Sequence, residues 1–189
     1  ACIEAFRQLG FSDVDKYIGE FVQSDVFLKL EEGKISENGF YAEIKKIIGG
    51  SISNEDIRTA WLCFLLSIPN KKLELLLLLK KQYNVYLLSN TNPIHFPYIV
   101  ETQFCKNGHA LSDYFDKCFL SYQLNMSKPR AEIFTYLLQS EDLLPEETLL
   151  IDDGMANVEM AKSLGFRTYL AKPFESFDTL KQQLLEKTL

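Results

Sequence analysis

The chain has 189 residues, 47% hydrophobic and 24% charged, with a net charge of −6. This is ordinary globular composition for one domain, or one domain carrying a modest insertion, and it excludes disordered and fibrous classes. The acidic balance argues against a broad nucleic-acid surface, which needs clustered Lys and Arg, but it leaves local anion binding open.

Residues 1–69 read as helices only. Cys2 to Leu9 repeats apolar residues at helical spacing and stops at Gly10. Ser12-Asp13 can cap a second, short helix. Ser24 to Glu32 gives a third, closed by Gly33, and Ser36 opens a fourth with Phe40, Ile44, Ile47 and Ile48 on one stripe before Gly49-Gly50. Ser53-Asn54-Glu55-Asp56 has the form of a capping box and starts a helix through Trp61, Phe64 and Leu65. After Pro69 the rhythm changes. Lys71 to Tyr83 reads as a helix, Val85 to Leu88 as a strand, Pro93 to Phe104 as a helix, and Asn107-Gly108 as a loop. Phe115 to Leu120 is a short strand, Arg130 to Ser140 a helix, Thr148 to Ile151 a strand, and Ala156 to Leu164 a helix ended by Gly165. Arg167 to Leu170 is the last strand, and Ser176 to Lys187 closes the chain as an amphipathic helix. Strands alternating with helices of this length imply an α/β fold with a doubly wound parallel sheet, whose ligand crevice lies at the strand carboxyl ends.

The apolar run Leu73 to Leu79 is interrupted by Glu74 and followed by Lys80-Lys81, far short of the roughly 20 residues that span a bilayer, so no membrane partner is expected. The cysteines, Cys2, Cys63, Cys105 and Cys118, show no C-x-x-C spacing and fit buried or incidental thiols of a reducing compartment, the cytoplasm. A secretory signal is absent, which says little for a chain opening on Ala1 rather than Met.

Chemistry concentrates in Leu149-Leu150-Ile151-Asp152-Asp153-Gly154-Met155-Ala156-Asn157, an apolar strand running into paired carboxylates with an amide four positions after the second. Alone, this could be a strand with an Asp-Gly turn and an Asn cap. Buried strands, however, rarely end in paired anions without a cation to hold. Upstream, Val85 to Leu88 runs into Ser89-Asn90-Thr91-Asn92, and Met126-Ser127-Lys128-Pro129 puts a lysine in a loop before a helix. Alone, Ser89 reads equally as a cap and Lys128 as a solvated lysine. Together, Ser89, Lys128 and Asp152-Asp153 stand in that order at or just beyond strand ends. In this the chain resembles the haloacid dehalogenase-like hydrolases, most of which are magnesium-dependent phosphatases. The resemblance runs from about Lys71 to Leu170. It includes Ser127-Lys128-Pro129 before an Ile133-Phe134 helix, Asp152-Asp153 followed by Asn157, and Ala161-x-x-Leu164-Gly165.

The resemblance implies a helical cap over residues 1–69 and an α/β core over 70–189. Phosphoryl transfer needs a nucleophile, a cation, donors around the phosphate and an acid for the leaving group. Asp153 is expected to bind Mg2+ directly, with Asp152 as a ligand or an acceptor beside it and Asn157 orienting Asp153 or a metal-bound water. Ser89 and the Asn90 backbone amide would donate to the phosphoryl group, and Lys128 would bridge phosphate and carboxylates. The implied substrate is a small phosphorylated metabolite. A sugar phosphate is favoured because the capped branch with a Ser-Asn-Thr-Asn loop resembles sugar-1-phosphate phosphatases. Alternatives are 2-haloacid dehalogenation, which the Asp152-Asp153 pair disfavours, and a non-catalytic binding module. A homodimer is left open.

One departure stands out. Family members open with a strand ending in Asp-x-Asp, whose first Asp attacks phosphorus. Asp13-Val14-Asp15 has the spacing but no apolar strand before it. The core is therefore expected to lack its first central strand within the numbered residues, with the nucleophile upstream of Ala1 and a protein made from Ala1 onward inactive. Trp61, Phe27 and Tyr17 are candidates to line the cap, though aromatics at helical spacing are more often core. His95 and His109 lack partner spacing for a metal or a dyad, and a surface role is expected for His95.

Overall fold

The computed structural model describes residues 1–16, 26–49, 51–172 and 175–186. In chain order the elements are α1 (Cys2–Gln8), α2 (Val26–Glu31), α3 (Glu37–Ile48), α4 (Asn54–Leu62), α5 (Asn70–Leu79), β1 (Tyr86–Ser89), α6 (His95–Ile99) and α7 (Leu111–Tyr114). They continue as β2 (Lys117–Leu120), α8 (Ser121–Leu124), α9 (Ala131–Ser140), β3 (Leu149–Asp152), α10 (Met155–Ser163), β4 (Arg167–Leu170) and α11 (Asp178–Leu185). Tyr17, the Ser24 helix start, Gly50 and the Lys187 helix end lie outside the described residues.

The chain forms two compact units. The first comprises residues 1–69, 90–111 and 120–125; the second comprises 70–89, 112–119 and 126–189. The first unit is helical. The Ser36 hydroxyl accepts from the Gly39 N–H at 3.1 Å, and the Ser53/Asp56 capping box forms as its spacing predicts, which satisfies amide donors that a helix start otherwise leaves unpaired. Their apolar stripes meet in an aromatic core. Phe27 lies 4.7 Å from Trp61 and 5.4 Å from Phe40 between ring centroids, and Phe6 packs edge-on at 5.9 Å. Trp61 and Phe27 are fully buried, so they are core and not a lining. Asp13 and Asp15 form surface ion pairs with Lys16 and Arg7, in keeping with the absence of a strand there.

Gly33 (φ +65°) ends the turn after α2 where nothing larger fits. A Cβ there would stand 2.1 Å from the Tyr122 carbonyl oxygen, beside the Asn125 amide that donates to the Glu32 carbonyl. The helix expected over Pro93 to Phe104 is α6 followed by a π-helical turn, Val100–Phe104, and a 3-10 turn. Gln103 from that turn clamps the α4–α5 connection, donating to the Leu66 carbonyl and accepting from the Ile68 N–H.

In the second unit β3 and β4 pair in parallel, with Leu149 opposite Arg167 and Asp152 opposite Leu170. β1 and β2 form a separate pair. Leu149 and Tyr169 pack with Leu75, Leu79, Leu180 and Leu184 of α5 and α11. Side chains alternate along a strand, so Leu150 and Asp152 face the other way, the side that α10 covers. Helices thus cover both faces of this pair, as in a doubly wound fold. β1, β2 and β3 differ by a residue or two from their sequence-based bounds while β4 coincides with its own, and β1 and β3 take in Ser89 and Asp152. No helix among the described residues is long and apolar enough to cross a membrane.

His95 departs from the sequence expectation. It is not on the surface but 5% exposed in the first unit, stacked on Trp61 at 4.5 Å, with Nε2 3.0 Å from the Trp61 carbonyl oxygen. A carbonyl only accepts, so Nε2 carries the proton and donates. Burial pushes the imidazole down from 6.5 to about 4, opposed in part by that bond. A histidine with a depressed folded pKa binds fewer protons folded than unfolded. Its contribution is therefore complete above pH 6.5 and lost as pH falls toward 4. Chemical denaturation should show up to about 3 kcal/mol of stability disappearing across that window. His95→Phe, which keeps the stack, should flatten this dependence, and an unchanged slope in the variant would rule out His95 as its source.

Candidate active site

The site lies in the second unit, where β1 and β3 end. Asp152 closes β3 and turns its carboxylate toward Lys128 from the loop before α9. The Lys128 ammonium lies 2.5 Å from Asp152 Oδ2 and donates to the Leu88 carbonyl of β1 at 2.9 Å. One cation thereby ties the ends of two strands that belong to separate ladders. The side chains are only 10% and 6% exposed, so solvent screens the pair little.

The other Asp152 oxygen is equally occupied. Oδ1 accepts the Gly154 N–H and the Asn157 side-chain amide, each at 2.8 Å. Gly154 precedes the first turn of α10, where exposed backbone amides and the helix dipole favour a carboxylate. Burial by itself would raise the Asp152 carboxyl, but the Lys128 ammonium, the Asn157 amide and the Gly154 N–H hold it below the ordinary carboxylate range. A Cβ at 154 would stand 2.6 Å from Asn157 Nδ2 and 3.1 Å from Asp152 Oδ1, so a larger residue would have to displace the Asn157 amide.

Asp153 differs from its neighbour. It is exposed, and its carboxylate pairs with none of the described residues. The sequence expectation that Asn157 orients Asp153 is corrected here, because the Asn157 amide is spent on Asp152. Ser89, half-buried, ends β1 one residue beyond the carbonyl that Lys128 binds, and exposed Asn90 follows it. Lys128, Asp152 and Asn157 are thus brought into one hydrogen-bonded group, with Asp153 adjoining it in the chain. The Leu88 carbonyl and the Gly154 amide were missed by sequence reasoning. The first carries no side-chain signal, whereas a glycine directly after two acids was available as a cue.

Comparison with known proteins places this geometry. Residues 12–165 match the family described as hydrolase, haloacid dehalogenase-like hydrolase. The chain is 40% identical to a D-ribitol-5-phosphate phosphatase of Bacteroides thetaiotaomicron over 88% of its own length and 81% of that protein. A HAD family enzyme of the same organism, solved as an aspartate-to-alanine mutant in complex with magnesium and inorganic phosphate, superposes with a TM-score of 0.92. The two are 38% identical, covering 95% of this chain and 89% of that one. A predicted HAD-like family hydrolase from Porphyromonas gingivalis aligns with a TM-score of 0.88 at 34% identity, over 97% and 88% of the two chains.

Removing one partner of a buried ion pair strands the other charge. Lys128→Met should therefore lower stability at neutral pH by about 3–5 kcal/mol. Lys128→Met combined with Asp152→Asn should recover much of that loss, because no uncompensated charge remains. Denaturant titrations of both variants check this. Equal destabilisation by the single and double variants would mean that the pair is not coupled.

Proposed function

Because the chain belongs to the haloacid dehalogenase-like hydrolase family, we propose that it is a magnesium-dependent phosphomonoesterase. Its substrate is a small phosphorylated sugar or polyol, and it reacts through an aspartyl-phosphate intermediate. The observation that carries the reading is the saturated Asp152–Lys128 pair at converging strand ends, beside a carboxylate with no partner among the described residues.

The donor set fits magnesium. Mg2+ takes hard oxygen ligands, retains several waters and is commonly held by one or two carboxylates together with substrate phosphate. Asp153 offers such a carboxylate, whereas both Asp152 oxygens are already engaged. Bound there, the ion would neutralise phosphate charge and help fix the transferring group. The rest falls to the chain itself. The Ser89 hydroxyl and the Asn90 backbone N–H donate to phosphoryl oxygens, and Lys128 adds positive charge within reach of the same strand ends. An aspartate carboxylate attacks phosphorus, forming one P–O bond as the ester P–O bond breaks and the alcohol leaves with a proton taken from water. Water then hydrolyses the acyl phosphate.

A polyol or sugar phosphate as substrate is supported by the 40% identical relative, a D-ribitol-5-phosphate phosphatase. The dehalogenase alternative has no phosphate to neutralise and leaves the exposed Asp153 carboxylate without a task.

The experiment is hydrolysis of D-ribitol-5-phosphate and of a generic aryl phosphate by the full-length protein, with magnesium and with chelator. Asp153→Asn should lower kcat/KM by about a hundredfold or more and weaken magnesium binding in calorimetry. Hydrolysis that persists in chelator, or equal magnesium affinity in the variant, would overturn the metal assignment. Turnover of 2-haloacids without phosphatase activity would replace the reading altogether.

A further inference from the structure

The residues immediately after Ser89 are held by an arrangement that the proposed chemistry does not explain. β1 ends at Ser89 and β2 at Leu120. Just past both ends, the Ser121 hydroxyl accepts the Thr91 N–H at 3.0 Å and donates to the Thr91 carbonyl at 2.9 Å. One side chain thus closes both backbone groups of a single residue. Ser121 is completely buried and Thr91 nearly so. The next residue is fixed as well. Asn92 is fully buried, and its Oδ1 accepts the N–H groups of Ile94 and His95 at 3.1 and 2.9 Å. The Asn92 Nδ2 finds no partner among the described residues.

We propose that Ser121 is a positioning residue for the phosphate-binding loop: its hydroxyl, not its bulk, fixes the backbone at Thr91 and so directs the Ser89 hydroxyl and the Asn90 N–H toward one phosphoryl group. This rests on the phosphatase reading above. A donor pair acts on developing charge only if its direction is set beforehand, because a reorienting loop loses in reorganisation what it gains in contact. Ser121 sets that direction from outside the loop, without touching the substrate.

The test uses the full-length enzyme with magnesium, aryl phosphate as substrate and inorganic phosphate as competitive inhibitor. Ser121→Ala removes the hydroxyl, and Ser121→Cys keeps the volume with a poor hydrogen-bonding group. Ser89→Ala reports on the loop itself. Both Ser121 variants should raise the inhibition constant of phosphate and KM, by roughly tenfold for Ala and less for Cys, in the range expected for small misplacement of binding groups. The magnesium concentration giving half-maximal activity should stay unchanged. Phosphate inhibition unaltered in both Ser121 variants, while Ser89→Ala weakens it, overturns the positioning role alone. Inhibition unaltered in Ser89→Ala as well removes the phosphate-loop reading beneath it. Parallel loss of kcat, magnesium response and thermal stability in both Ser121 variants marks a merely structural hydroxyl and also overturns the proposal. If Ser121→Ala does not fold, Ser121→Cys decides.

Discussion

The second unit depends on one buried contact, the ammonium of Lys128 against Asp152 Oδ2 at 2.5 Å, with the Leu88 carbonyl as its other anchor. β1 and β3 share no ladder, so hydrogen bonding along strands does not fix their ends relative to each other. The lysine does. Withdrawing two charges from water is costly, and their attraction offsets that cost only with good geometry and the remaining lone pairs satisfied. Here both conditions hold. Gly154 and Asn157 take up the second carboxylate oxygen, and a Cβ at 154 would force that arrangement apart.

Saturation of Asp152 divides the labour between neighbouring carboxylates that look alike in the sequence. A carboxylate that accepts from an ammonium, an amide and a backbone N–H is stabilised in its charged form, and its lone pairs are committed. It suits holding a lysine in place. Asp153 is exposed and has no partner among the described residues, one residue beyond the strand, and so remains open to a hard cation. The difference arises from the pleat. Alternation along β3 sends Asp152 to the same side as Leu150, under α10, and ends the strand before Asp153 has a face assigned.

Much of this was legible in one dimension because the cues were local. Ser36 and Ser53 cap the helices they precede, Gly33 stops the helix it follows, and Ser89 and Asp152 terminate the strands that their apolar runs announce. What the sequence hid depends on distant partners. His95 looks solitary because its partner is the carbonyl of Trp61, contributed by the end of α4. Ser121 looks like an ordinary residue after a strand because it bonds only backbone atoms of Thr91. Asn157 was expected to orient Asp153 or a metal-bound water, and its amide donates to Asp152 instead of Asp153, because spacing on a helix places an amide near two adjacent carboxylates without choosing between them. The π-helical turn after α6 was equally hidden, since its Gln103 is set by the α4–α5 connection and not by local apolar rhythm.

The polar imperfections of the first unit gather at one place. Trp61 Nε1 and Asn92 Nδ2 are buried donors with no partner among the described residues, and both belong to residues that hold His95. A histidine kept neutral by burial carries a penalty that grows as pH falls. Apolar replacements at Asn92 and His95 would relieve that penalty. They would also release the Asn92 cap and the Trp61 carbonyl contact that fix the chain leaving Ser89. One buried imidazole is thus held between the chain that leaves Ser89, through the Asn92 side chain, and the end of α4, through the Trp61 carbonyl, and this packing carries a pH-dependent penalty.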